Sequence, residues 1–413
     1  MKQIFKLAAT AILVLMPLSN QAQPKNPYEL PDPLKMEDGR IVRNKKQWMN
    51  ERRPELMEML RSQMFGREPG ADAAPDIHYT LLEESKDAFG GLATRRQVKI
   101  SFDKDENYYL VLLMYIPNKH NGPVPAFLGP NFKGNHSTTD DPAVLMPTEE
   151  KLATYAPDYK VEPRDANGHR WEYEYILSHG YAVATFCYND VDPDFHDGFH
   201  NGIHGLIDGD KPRNGESWGS ISAWAWALSR CLDYLETVKE INAKKVAVIG
   251  HSRLGKTSLW AGATDQRFAL VISNDSGCSG AAIARRKFGE TVAAINKSFP
   301  HWFCDNYKAY GGSEEMMPWD QHELIAMIAP RPVYVASASE DSWADPVGEY
   351  FSLVGAASVY KLFGYDGITD RTVPEIEHPV VVGRMGHHIR KGEHNVRLYD
   401  WENYVAFADR FLK

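Results

Sequence analysis

The 413-residue sequence predicts an α/β protein, a three-layer sandwich with a mainly parallel central sheet and helices on both faces. Two observations carry this. Short apolar runs such as "KKVAVIG" and "FALVISND" lack the alternation of half-buried strands, as strands covered on both sides do. In the second half of the chain those runs alternate with segments of helical periodicity.

Taken in order, prolines at 24, 27, 31 and 33 make residues 23–44 an extended leader. "NKKQWMNERRPELMEMLRSQMFG" reads as helix, broken or restarted around Pro54. "TRRQVKISFD" and "NYYLVLLMYIP" read as two strands joined by a polar turn at 103–107. "PVPAFLGPNFKGNHS" and "GYAVATFCYND" are buried strands that end in polar loops. Then come the helix "SISAWAWALSRCLDYLETV", the strand "KKVAVIG", the helix "RLGKTSLWAGATD", and the strands "FALVISND" and "RPVYVASASED". The amphipathic helix "DWENYVAFADRFLK" closes the chain. Residues 281–325, rich in Arg, Trp and His, are too long for a plain connection and read as a substrate-facing insertion. The expected organisation is a signal peptide at 1–22, an N-terminal extension at 23–75 and one catalytic domain at 76–413.

With 24% charged and 43% hydrophobic residues the chain is of ordinary globular composition. A net charge of −9 and a pI near 5.9 argue against nucleic acid or an anionic membrane as partner. At the start, Lys2 and Lys6 precede an apolar run from Leu7 to Leu18, and Ala22 stands at a small-residue cleavage point. Export to the periplasm or the medium is therefore expected. That compartment permits disulfides, but Cys187, Cys231, Cys278 and Cys304 are sparse and show no C-x-x-C pattern. Buried free thiols are the simpler expectation, and a Cys278–Cys304 bridge the alternative.

The chemistry centres on "VAVIGHSRLGKTSLWAG", residues 246–262. An apolar strand, a G-x-S turn and helix formers make the nucleophile elbow of an α/β-hydrolase, whose partners follow in the order acid, then histidine. Ser252 stands on the turn, although the second glycine comes one residue late, at Gly255. A serine hydroxyl is a weak nucleophile and needs a histidine base held by a carboxylate. Asp341 follows one strand, and His394 precedes the last helix. His387 and His388 compete for the base, and Asp275, at the end of the strand after the elbow, competes for the acid. The oxyanion hole should use the backbone N–H of Arg253 and one from "GPNFKGN", with the Arg253 guanidinium as a further candidate. A metal alternative exists in "FHDGFHNGIHG", where His196, His200 and His204 recur every four residues. Its glycines argue for a loop and no H-E-x-x-H pattern is present, so neither a catalytic metal nor a cofactor is expected.

At this point "GHSRLGK" resembles the G-C-S-R-x-G-K signature of the glucuronoyl esterases, carbohydrate esterase family 15. "RRKFGE", "FPHWF", "EDSWADP" and "HIRKGEHN" extend the resemblance from about residue 245 to the C-terminus. The family pattern itself carries the late glycine. The resemblance implies an α/β-hydrolase that cleaves esters of 4-O-methylglucuronic acid, as in lignin linkages to glucuronoxylan, through a glucuronoyl-enzyme. It further implies Ser252 as nucleophile, His394 as base and Arg253 as oxyanion contact. Lys256 and Glu290 would bind sugar hydroxyls, Trp343 would pack beside the uronate, and His301 would join the substrate site. Bacterial members mostly place the acid at the position of Asp341, and fungal members at that of Asp275; this chain has a carboxylate at both. It departs at His251, where the family has cysteine, and at Asn395, where fungal members have the cysteine of their active-site disulfide. The expected partner is a uronate-ester carbohydrate, with no nucleic acid and no membrane, and the chain acting as a monomer. The alternatives are another carbohydrate ester, such as acetyl xylan, or a silent carbohydrate-binding protein on the same scaffold.

Overall fold

The computed structural model describes residues 28–74 and 76–413. The expected signal peptide lies outside them. Ten strands form one sheet: β1 (His78–Asp87), β2 (Ala93–Ser101), β3 (Tyr109–Pro117), β4 (Val124–Asn131), β5 (Ala182–Cys187), β6 (Ile241–His251), β7 (Leu270–Asn274), β8 (Val333–Ala338), β9 (Val380–Val382) and β10 (Met385–Arg390). Their order is β1-β2-β3-β5-β4-β6-β7-β8-β10-β9. From β5 to β10 in that order all neighbours run parallel, while β1 to β3 and the edge strand β9 are antiparallel. The mainly parallel sheet expected from the apolar runs is present.

Both faces are covered. On one lie helices α2 (Ser220–Leu235) and α3 (Arg253–Thr264), together with α1 (Arg53–Leu60) from the N-terminal segment. On the other lies α5 (Leu398–Leu412). Val246 and Val248 of β6 join the first core, with Trp224 and Trp260, whereas Ala247 and Ile249 join the second, with Phe127 and Trp401. Alternate residues of one strand thus enter opposite cores, which is why β6 reads as a continuous apolar run.

The N-terminal segment shares the first core. Trp48, Leu56, Leu60 and Phe65 are fully buried, and Phe65 stacks on Trp260 with ring centroids 4.0 Å apart. The Arg52 guanidinium reaches Glu323 at 2.7 Å, and Arg53 donates to the carbonyls of Met327 and Ala263. The helix passes Pro54 without a break. A wider turn at Trp48–Arg52, closed by the Arg53 N–H on the Trp48 carbonyl, comes just before the proline.

Three strands and a long helix escape the sequence reading. β10 reads "MGHHIR", with two histidines and an arginine but no β-branched run, yet every residue is buried. Its polar groups, His387 Nε2 excepted, find partners inside: His387 Nδ1 bonds the Val335 carbonyl at 2.8 Å, and His388 Nε2 bonds Asp400 at 2.8 Å. β1 and β9 lie at the two edges; β1 is mostly polar, and β9 has only three residues. The register of β1 slips between Leu81 and Glu83. Helix α4 (Pro346–Leu362) begins on the Asp345 side chain, which accepts from the Gly348 N–H at 3.0 Å. The cysteines are free and buried at all four positions, so the Cys278–Cys304 bridge does not form. Among the described residues no helix is long and apolar enough to cross a membrane.

Candidate active site

Strand β6 ends at His251 and α3 begins at Arg253, leaving Ser252 alone on the turn at φ 59° and ψ −128°. A non-glycine residue there costs of order 1–3 kcal/mol and persists only when its surroundings impose it. They do so here. The Ser252 N–H donates to the Asn274 carbonyl at 2.9 Å, and the Ser252 carbonyl accepts from Gly255 and Lys256 at 2.8 and 3.1 Å. A Cβ on Gly250 would lie 1.9 Å from the Leu254 carbonyl oxygen, so only glycine permits the sharp reversal. The late glycine has its own reason. A Cβ on Gly255 would stand 3.0 Å from Ser276 Cβ and 3.1 Å from the Asn274 carbonyl, where α3 presses on the end of β7.

His394 lies on the loop after β10, partly exposed, and its Nδ1 bonds Asp341 Oδ2 at 2.5 Å. With Nδ1 engaged by a carboxylate, Nε2 is the nitrogen left to exchange a proton. The His394 ring packs on that of His251, the residue before Ser252, with centroids 4.4 Å apart. Histidine, carboxylate and the serine turn therefore converge at the carboxyl end of the parallel strands. His387 and His388 do not take part, being buried in β10 with the partners given above.

Asp275 comes close without bonding. One of its oxygens lies within 4.8 Å of the nearest ligand atoms of both Asp341 and His394, yet neither of its buried oxygens has a hydrogen-bond partner. Burial, reinforced by the nearby Glu349 and Asp341, pushes its carboxyl well above the usual carboxylate range. Of the two acids, Asp341 is the one that reaches the imidazole.

The remaining candidates divide. The first turn of α3 leaves the Arg253 N–H without an intrahelical partner. The end of β4 and the loop after it lie alongside: Gly129 of β4 passes so close to the Ile249 carbonyl that a Cβ would be 2.3 Å away, and Phe132 in the loop packs edge-on to His251. The Arg253 guanidinium is occupied, paired with Asp194 and lying over Trp302 at 4.6 Å. His301 is buried, its Nε2 bonded to the same Asp194 at 3.0 Å. Lys256 is buried as well and donates to the Ser276 carbonyl; burial pulls its ammonium down, and Glu290 opposes this. Glu290 is tied to the Trp343 carbonyl by its N–H at 3.0 Å, and the Trp343 side chain is 59% exposed. Two of the three spaced histidines, His196 and His204, take different neighbours. His204 is buried between Phe199 and Trp218, whereas His196 stacks on His301.

Two participants went unread in the sequence. Arg390, at the end of β10, donates to the carbonyls of Lys391, Glu393 and Asn395 and pairs with buried Asp400, so the loop carrying His394 is wrapped around one guanidinium. Asn395, in the place of the fungal cysteine, accepts from Arg170 at 2.8 Å and His169 at 3.2 Å, which ties the His394 loop to the segment at 169–170. Asp194 is the second. Its only signal was a run of acids, "NDVDPD", at the carboxyl end of a buried strand, the edge at which such sheets bind ligands.

A mainly parallel sheet, a strained serine between strand and helix, and an acid and histidine on later loops define an α/β-hydrolase. A family model described as "Glucuronyl esterase, fungi" matches residues 176–364. A carbohydrate esterase from an unknown prokaryotic organism is 45% identical over 394 residues, covering 93% of this chain and 90% of its own. A 4-O-methyl-glucuronoyl methylesterase of Wolfiporia cocos is 34% identical over 202 residues, 47% of this chain and 46% of that one. Among solved structures, a glucuronoyl esterase from Solibacter usitatus superimposes with a TM-score of 0.87 at 40% identity, covering 94% of this chain and 98% of that one. A promiscuous family 15 esterase from a marine bacterial metagenome does so with a TM-score of 0.83 at 44% identity, covering 93% and 97%. The chain belongs to carbohydrate esterase family 15, the glucuronoyl esterases, and is a carboxylic ester hydrolase.

Proposed function

We propose that this protein is an exported serine esterase that hydrolyses esters of glucuronic acid, with the 4-O-methylglucuronate branches of xylan as the natural substrate class. Residues 1–22 would be the cleaved export signal. Ser252 attacks the ester carbonyl while His394 Nε2 takes its proton, and Asp341 holds the imidazole and stabilises its charged form. The ester C–O bond then breaks, and the alcohol leaves with the proton from His394. Water, deprotonated by the same histidine, attacks the glucuronoyl-Ser252 ester and releases the acid. The Arg253 N–H and the loop after β4 face the developing oxyanion. Lys256 and Glu290 contact sugar hydroxyls, and Trp343 packs beside the ring.

The observation that carries this reading is the contact of His394, held by Asp341 at 2.5 Å, with His251 beside the strained Ser252. Hydrolysis of methyl or benzyl glucuronate tests it. Removing the serine of a triad costs on the order of 10⁶ in kcat, so Ser252→Ala should be inert, and an active Ser252→Ala overturns the mechanism. A second reading, a wider ester range that includes acetylated xylan, is favoured by the likeness to the promiscuous metagenomic esterase. Turnover on a panel of glucuronate, galacturonate and acetyl esters separates the two, because a site built around sugar hydroxyls rejects esters that lack them.

A further inference from the structure

Any ester cleaved at Ser252 leaves a carboxylate next to Arg253. A free guanidinium binds carboxylates tightly and with two parallel hydrogen bonds, so it would retain the product. Arg253 is not free. It pairs with Asp194 and lies over Trp302, which fixes both its direction and its plane. Asp194 in turn is a buried hub. It accepts from the Tyr188 hydroxyl at 2.7 Å, from Trp302 Nε1 at 2.7 Å and from His301 Nε2 at 3.0 Å, besides Arg253. Four donors leave an ionised carboxylate fully satisfied. Burial alone would push its carboxyl up, but the His301 hydrogen bond and the Arg253 charge outweigh this and hold it well below the usual carboxylate range.

We propose that Asp194 is a positioning residue that anchors Arg253 and cancels its charge, so that the site accepts a neutral ester and releases the acid it forms. This rests on the assignment of Ser252 and a uronate ester in the preceding section. His301 then serves the site through Asp194, since its Nε2 is committed to that carboxylate and its Nδ1 is buried without a partner.

The test compares inhibition of methyl glucuronate hydrolysis by glucuronate and by neutral glucuronamide. In the wild type the two should inhibit within about threefold of each other, because the paired charges cancel. In Asp194→Asn the Ki for glucuronate should fall about tenfold or more while that for glucuronamide holds, since one uncompensated cation now faces the anion. Adding Arg253→Gln to Asp194→Asn should abolish the gain. Acid and amide shifting together in Asp194→Asn, or neither shifting, overturns the proposal. Should Asp194→Asn not fold, the wild-type ratio decides, and a strong preference for the acid overturns it. Wild-type turnover is measured first. If no uronate ester is cleaved, the functional reading falls and takes this one with it, whereas turnover with unaltered Ki values removes this inference alone.

Discussion

Gly250 and Ser252 divide the labour of one sharp turn: the first leaves room for it, and the second bears its strain. Gly250→Ala would force a methyl group into the Leu254 carbonyl at 1.9 Å, so the turn must open and carry Ser252 away from His394. We expect a loss of about 100-fold or more in kcat/KM on methyl glucuronate, since a 1 Å misplacement of a reacting group has that effect. Gly255→Ala meets contacts of 3.0 and 3.1 Å with atoms that can give a little, and its loss should be smaller. His387 allows a prediction about pH. Burial, helped by neighbouring His388, holds its imidazole down to about 3. An unfolded histidine takes up a proton below about pH 6.5, so the unfolded state binds more protons and stability falls as pH drops from 6.5 towards 3. The fall attributable to this residue is about 2 kcal/mol between pH 7 and 5. His387→Asn keeps a donor for the Val335 carbonyl, and urea titrations should show a shallower acid slope for it than for the wild type.

At the scale of elements, strand β10 and the loop after it rest on the Arg390–Asp400 pair at 2.9 Å. Arg390→Met would leave Asp400 buried with a lost partner, which costs about 3–5 kcal/mol when a buried pair is broken. Thermal unfolding should register this, and kcat should fall because three carbonyls that shape the His394 loop lose their donor. The same element shows why part of the site could be read and part could not. Ser252, Asp341 and His394 each follow a strand or precede a helix marked by apolar periodicity, so their order on the chain made them candidates, with His387, His388 and Asp275 still competing. The choice between Asp341 and Asp275 was open because both end buried strands; distance and burial separate them, and neither is a property of spacing. β10 was missed because two histidines and an arginine break its apolar pattern, and the partners that let them be buried, on β8 and α5, are not a property of spacing. Asp194 was missed for a similar reason, since His301, Trp302 and Arg253 reach it from far along the chain.

For the molecule as a whole, the N-terminal segment is structural material of the first core. A chain starting at residue 67 would lose Trp48, Leu56, Leu60 and Phe65, all fully buried, and large-to-small losses at even one such site cost about 2–5 kcal/mol. Circular dichroism of that truncated chain should show no cooperative melting transition. The thiols give a second global test. All four are buried, and burial pushes those of Cys187 and Cys278 up to about 12. A thiol reagent should therefore find none in the native protein and four after denaturation, and reducing agents should leave activity and melting temperature unchanged.

The outer strands of the sheet bear on how copies of the chain meet in solution. β9 has only three residues, and β1 is interrupted by the slip between Leu81 and Glu83 and carries Glu83, Glu84 and Lys86. Neither rim offers a long, straight row of open amides and carbonyls on which a second molecule could align its own backbone. A ten-stranded sheet is in this way closed to growth at both ends, and concentrating the protein gives fibrous association no template from which to start.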